Sequence, residues 1–228
     1  MRSSAAAVLV LSMVFPSLAH AGSVRPWFGA HGSMSTYSMS DVNRDISNFN
    51  AAIAGSGLSM DEIHGGLGLG MTLGMDLPSP FSIGVGYDRL SASTDVGDAS
   101  GSIKYKFPAN AFRAFGQYSF SGAGASRGHI GGALGLINEA GSVTVEITGQ
   151  TPFEENVHGS GALFELFGGG DWWASPQFAI TGSAGYRYAK INEIKVLGEV
   201  VYISPGEKES IDYSGIFARV GIKLALAK

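Results

Sequence analysis

The stretch Tyr213-Ser214-Gly215-Ile216-Phe217-Ala218-Arg219-Val220-Gly221-Ile222-Lys223-Leu224-Ala225-Leu226 decides the fold. From Ile216 to Leu226 every even position is apolar, and both charges, Arg219 and Lys223, fall on odd positions. A period of two is that of a β-strand, whose successive side chains point to opposite faces. Strands of soluble sheets run to about five or six residues, and this alternation lasts more than twice as long. A clean apolar face of that length fits the hydrocarbon of a bilayer, with the small and charged face turned into a barrel lumen.

Seven further runs alternate in the same way, at about Val24–Ser38, Ser59–Met75, from Phe81, Ser102–Phe120, from Arg127, His158–Trp173 and Phe178–Lys190. In the second, Ile63, Leu67, Leu69, Met71, Leu73 and Met75 share one face, while His64, Gly66, Gly68, Gly70, Thr72 and Gly74 share the other. Inward glycines leave room for long side chains from strands opposite. In the fourth, the apolar parity changes at Pro108, from Ile103, Tyr105 and Phe107 to Phe112, Ala114, Gly116, Tyr118 and Phe120, which predicts a β-bulge.

The connections alternate in length. Those after the second, fourth and sixth runs are short: Leu77-Pro78-Ser79-Pro80, Ser121–Ser126 and Ala174-Ser175-Pro176-Gln177. The others are polar and mostly long. Ser38–Ser59 predicts a short helix with Ser40-Asp41 as N-cap and Val42, Ile46, Phe49 and Ile53 on one face. Thr94–Gly101 reads as a short polar loop. Ala140–Val157 reads as a longer connection in which Val143–Ile147 extends a strand, and Asn192–Ser210 as one holding a small hairpin with Val200-Val201-Tyr202-Ile203 as an arm. Outer-membrane barrels show this asymmetry of short turns and long loops.

Arg2, the apolar run Ala5–Phe15 and the small-x-small triplet Ala19-His20-Ala21 read as a signal peptide, 1–21, cleaved before Gly22. The apolar run is too short for a spanning helix. Residues 22–228 then form one domain. With no cysteine there are neither disulfides nor thiolate metal sites, and a formal charge of −4 speaks against nucleic acid. No metal and no cofactor are expected.

Two aromatic belts are predicted at the membrane interfaces: Trp27, Phe28, Phe81, Tyr118, Phe120, Trp172, Trp173 and Phe178 at the short-turn end, and Tyr37, Tyr87, Tyr105, Tyr186 and Tyr188 toward the long loops. A soluble lipocalin-like barrel would also have eight strands, but it accounts for neither belt. Arg113, Glu165, Arg187, Arg219 and Lys223 are assigned inward. An eight-stranded interior is just wide enough for side chains, so these charges are expected to pair in a network centred on Glu165, with Asp171 and Asp88 as further acceptors. His31-Gly32-Ser33 and His158-Gly159-Ser160 each place a histidine and a serine on one strand face, which resembles the lipid A 3-O-deacylases of the outer membrane. Glu165, however, has the opposite parity to His158 and Ser160, so no triad forms on that strand. No catalytic residue is assigned, and the chain is read as no enzyme, with lipid A hydrolysis a remote alternative.

The eight runs, Ala19-His20-Ala21, the two proline turns and Gly185-Tyr186-Arg187-Tyr188 together resemble the small eight-stranded outer-membrane barrels of diderm bacteria, the OmpA/OmpX/OmpW-like superfamily. The resemblance implies an all-β, eight-stranded, antiparallel, up-and-down transmembrane β-barrel in the bacterial outer membrane. It further implies a monomer surrounded by outer-membrane lipid and lipopolysaccharide, and inserted by the barrel-insertion machinery. The role implied is structural or one of surface interaction; a narrow channel for small or hydrophobic solutes, as in OmpW-like proteins, is the alternative. Such barrels usually close on an aromatic residue, whereas this sequence closes on Leu226-Ala227-Lys228.

Overall fold

The computed structural model describes residues 24–226 apart from 79, 99–100, 122, 124, 197–198 and 205–206. The expected leader, 1–21, and the terminal Ala227-Lys228 lie outside the described residues.

Eight strands form a closed antiparallel ring in which each pairs with its neighbours in the chain and the last with the first. They are β1 (Arg25–Thr36), β2 (Gly65–Asp76), β3 (Phe81–Leu90), β6 (Ala109–Ser121), β7 (Ser126–Ile147), β8 (Phe153–Trp173), β9 (Phe178–Ile191) and β15 (Gly215–Ala225). The path of paired residues Arg25, Asp76, Ser82, Gln117, Gly131, Phe167, Gly185, Phe217 returns to β1 at Ser35, ten residues above its start. That stagger tilts the strands by about 40°. Closure leaves the ring no free edge.

Beyond the ring at its loop end stands a dome. The extensions of β7 and β8 are flanked by the hairpin β4 (Ser93–Asp98) and β5 (Gly101–Lys106), by β10 (Ile194–Val196) and by β11 (Glu199–Val200). A second small ladder joins β12 (Tyr202–Ser204) to β13 (Glu207–Lys208), and β14 (Ile211–Asp212) pairs with β9. The residues read as a Thr94–Gly101 loop are therefore largely strand, and the one hairpin expected around Val200–Ile203 is two ladders.

Helix α1 (Ser40–Ala52) turns Val42 and Ile46 into the dome. Its N-cap is Met39, in the left-handed region at φ 45°, with no side-chain cap, and not Ser40-Asp41. The Asp41 carboxylate instead accepts from the Ser210 backbone N–H (3.1 Å) and hydroxyl (2.5 Å). Two asparagines lace the helix to the segment that follows. Asn43 takes the Ile63 N–H (2.8 Å) and gives to its carbonyl (3.0 Å); Asn50 does the same at Met60 (2.8 and 2.9 Å). Ile63 is thus not on the second strand's outer face. It is buried in the dome core with Tyr37, Met60, Leu90, Phe107, Ile137, Ile191, Ile211 and Tyr213, against which Tyr105 also packs. Tyr37 and Tyr105 accordingly belong to this core and to no outer belt.

No β-bulge interrupts the fourth run. Lys106 faces Ser142 and Ala109 faces Glu139, so the register passes Phe107-Pro108 without gaining a residue. Odd positions point inward on both sides of Pro108. What changes is the chemistry: the inside is apolar in the dome, while in the ring it also takes charged and polar groups such as Arg113 and Gln117.

Candidate functional site

The ring's interior holds a stacked polar column. In its upper tier two carboxylates meet three guanidiniums. Glu165 accepts from Arg187 Nε (2.8 Å) and from both terminal nitrogens of Arg219 (2.7 and 3.1 Å), with Arg113 Nε at 3.4 Å. Asp88 takes Arg113 Nε at 3.0 Å and His31 Nε2 at 2.6 Å, with Arg219 Nη2 at 3.5 Å. Glu165 and Asp88 are 0% exposed and Arg187 is 1%. Ions removed this far from water persist only when paired and hydrogen-bonded. The guanidiniums of Arg187 and Arg219 also lie over the Phe217 ring, at 5.3 and 4.1 Å.

A lower tier sits nearer the short turns. Lys223 Nζ reaches Asp171 at 3.1 Å and Asp76 at 3.7 Å, and His129 Nδ1 lies 4.0 Å from Asp171. Asp76 also takes the Trp27 indole N–H (3.0 Å) and the Ser82 hydroxyl (2.8 Å). Between the tiers is a cavity of about 80 Å³, lined among others by Thr72, Arg113, Gln117, His129, Asp171 and Lys223. A polar space of that size takes several waters. The two tiers lie in the ring's interior below the apolar dome.

Glycine makes these meetings possible. Gly70 pairs with His31 on one side and Asp88 on the other, and a Cβ on it would stand 2.5 Å from both side chains. Gly74 and Gly84 lie side by side between Trp27 and Phe115, whose rings approach to 5.9 Å across two intervening strands. A Cβ on Gly86 would stand 2.7 Å from Arg113.

The structure brings together Arg113, Glu165, Asp171, Arg187, Arg219, Lys223 and Asp88, the residues expected in the lumen, in two tiers rather than one centre. His31, Asp76 and His129, which sequence reasoning did not place among them, complete the tiers. All three have the lumen's parity, and that was their only signal. On the outer wall, Phe81, Tyr118, Phe120 and Trp172 are exposed at the short-turn end, as are Tyr186 and Tyr188 toward the loops; Tyr87 and Phe178 are half-buried. Trp27 and Trp173 depart from the expected belt. Both turn inward and clasp Lys223, with ring centres at 4.2 and 5.6 Å. Trp173 has the odd parity of Asp171, so only its neighbour Trp172 can face out. His158 and Ser160 are exposed on the outer wall while Glu165 is in the lumen, so the three do not meet.

One buried acid belongs to the dome. Glu139 lies beyond the outward polar residues Asn110, Asn138 and Ser160, and both its carboxyl oxygens lack a hydrogen-bond partner. The nearby Tyr213 hydroxyl donates to the Phe107 carbonyl at 2.9 Å. Burial pushes the Glu139 carboxyl up to about 8. Burial and then the neighbouring Asp45 carboxylate raise Glu209 to about 7.

No family model and no curated protein matches this sequence. Solved structures do. A major outer membrane protein from Thermus thermophilus superposes with a TM-score of 0.53 at 9% identity, over 88% of this chain and 99% of that one. Neisserial surface protein A gives 0.48 at 14% identity over 87% and 96%, and OprG from Pseudomonas aeruginosa 0.40 at 13% over 90% and 95%. The likeness to the Thermus protein is one of fold: an eight-stranded antiparallel up-and-down β-barrel.

Proposed function

We propose that this chain is an exported outer-membrane protein, a plugged barrel whose dome stands outside the cell in a structural or surface-interaction role. One observation carries the reading. Around the ring the outer wall is aliphatic and aromatic while Asp88, Arg113, Glu165, Arg187, Arg219 and Lys223 are buried inside, and Leu69, Leu134 and Val220 are 72%, 67% and 67% exposed. Water would expel such a surface; a bilayer rewards it. The dome, with its apolar residues inside, belongs in water. The short turns then face the periplasm, outer-membrane lipid and lipopolysaccharide surround a monomer, and the barrel-insertion machinery delivers it after cleavage behind Ala21.

Fractionation and planar-bilayer recording test this. The protein should pellet with outer membranes, leave them only in detergent, carry Gly22 as its first residue, and show no steady conductance. Recovery in the aqueous fraction would end the membrane reading. A steady conductance would end the plug and favour the narrow solute channel.

A further inference from the structure

The outer wall carries a recess that is built rather than merely greasy. Val220, Gly32, Leu69, Arg89 and Asn110 are paired in succession across β15, β1, β2, β3 and β6, and all face outward. Gly32 makes a notch between two large aliphatics, and a Cβ there would meet nothing within 4 Å. With Met34, Leu67 and Ala218 on the next rung, these residues form a shallow, open apolar recess on the outer wall. Arg89 lies two strands from the notch, at roughly 10 Å by the spacing of paired strands, on the side toward the loops. Asn110 Oδ1 holds the guanidinium (Arg89 Nη1, 2.9 Å) and the Tyr87 hydroxyl as well (2.7 Å). Among the described residues Arg89 has no carboxylate partner. Arg25, the other ring arginine with no carboxylate contact among the described residues, is turned inward over the Trp173 ring at 4.6 Å, and the remaining arginines of the ring are engaged by acids. Arg113, Arg187 and Arg219 are spent on Glu165 and Asp88, and Arg127 lies near Asp76.

From this geometry we infer that the recess is a site for one phosphorylated acyl lipid of the outer leaflet, of the lipid A class, with an acyl chain laid over Gly32 and a phosphate on Arg89. The inference rests on the membrane reading above and on its orientation. An apolar slot needs a hydrocarbon occupant, and an unpaired planar guanidinium at the slot's loop end selects an anion that can accept two hydrogen bonds. Held by Asn110, Arg89 is oriented before the lipid arrives, so less freedom is lost on binding. A phospholipid from the inner leaflet would present its phosphate at the wrong end of the barrel.

Native mass spectrometry of the full-length protein, extracted from outer membranes in mild detergent, reads the adduct directly. Wild type should retain one lipid A. Gly32→Leu fills the notch without an internal clash, and Arg89→Gln keeps an amide for Asn110 but removes the charge; each should lower lipid A occupancy at least tenfold. Gly116→Leu fills an equally open outward glycine elsewhere on the wall and should leave occupancy unchanged, with heat-modifiable gel mobility reporting that all variants are folded. The inference is overturned if Gly32→Leu or Arg89→Gln binds as wild type, if Gly116→Leu loses lipid equally, if phosphatidylglycerol added in equal amount displaces lipid A, or if the adduct is a second copy of the chain. A protein that never enters the membrane fraction would instead refute the membrane reading itself.

Discussion

β5 and β6 lie end to end along β7 in one register, yet they are built oppositely. In β5 and the residue after it, Ile103, Tyr105 and Phe107 point in, and Lys104 and Lys106 point out. In β6, Arg113, Phe115 and Gln117 point in, and Phe112, Ala114 and Tyr118 point out. Side-chain direction is set by the pleat and is the same throughout. The polarity of each face is set by what touches it, and that changes at the level of Asn110 and Asn138. The ring therefore has an ionic interior that must be satisfied pair by pair, whereas the dome has a core of the kind found in soluble proteins. Substitutions should separate the two.

The largest effect is expected at the centre of the column. Glu165→Ala leaves the guanidiniums of Arg113, Arg187 and Arg219 around one remaining carboxylate, at a cost of about 3–5 kcal/mol. Urea unfolding in micelles, followed by gel mobility, should show the ring losing stability. A ring as stable as wild type would mean that the tier is decorative.

The dome should respond to pH through its unpartnered acid. The Glu139 carboxyl titrates at about 8 in the folded chain, well above its unfolded value of about 4.3. Between those values the folded state holds a proton that the unfolded state has released, so dome stability is full below about pH 4 and falls as pH rises toward 8. The loss is on the order of 5 kcal/mol across that window. The protection factors of α1, in which the intrinsic pH dependence of exchange is divided out, should fall over this range in wild type and stay flat in Glu139→Gln. Equal slopes in both would place the titration elsewhere, for example at Glu209.

Glycines distinguish inside from outside on a smaller scale. Gly70→Leu drives a side chain into His31 and Asp88 and should cost about 1–3 kcal/mol. Gly116→Leu faces open space and should change the unfolding midpoint by less than about 0.5 kcal/mol. Equal losses would show that backbone freedom, not luminal space, is what these glycines supply. A further effect is confined to the dome. Asn43→Ala unpairs both backbone groups of Ile63 and should cost the dome about 1 kcal/mol, raising protease cleavage between residues 53 and 64 while ring mobility on gels stays that of wild type.

Much of the ring was readable from alternation alone: the eight strands and the inward charges Arg113, Glu165, Arg187, Arg219 and Lys223; helical spacing likewise showed the helix near Val42 and Ile46. Errors gathered wherever one parity rule was carried across a change of surroundings. The polarity switch at Pro108 resembled a slipped register, Ile63 resembled a lipid-facing residue, and Tyr37, Tyr105, Trp27 and Trp173 resembled interface aromatics. The expected cap at Ser40-Asp41 failed for a related reason, because Asp41 is engaged by Ser210, which lies 169 residues away.

A two-residue period is a property of a single strand, so the sequence by itself determined which side chains share a face and that one face of each ring strand is apolar. Only the closed tertiary structure decided which luminal groups touch. Strand stagger brings His31 to Asp88 across Gly70, and Trp27 to Phe115 across Gly74 and Gly84. The same closure decided at what height the inner face turns from charged to apolar, since the surroundings of a face depend on height along the barrel and not on position along a strand.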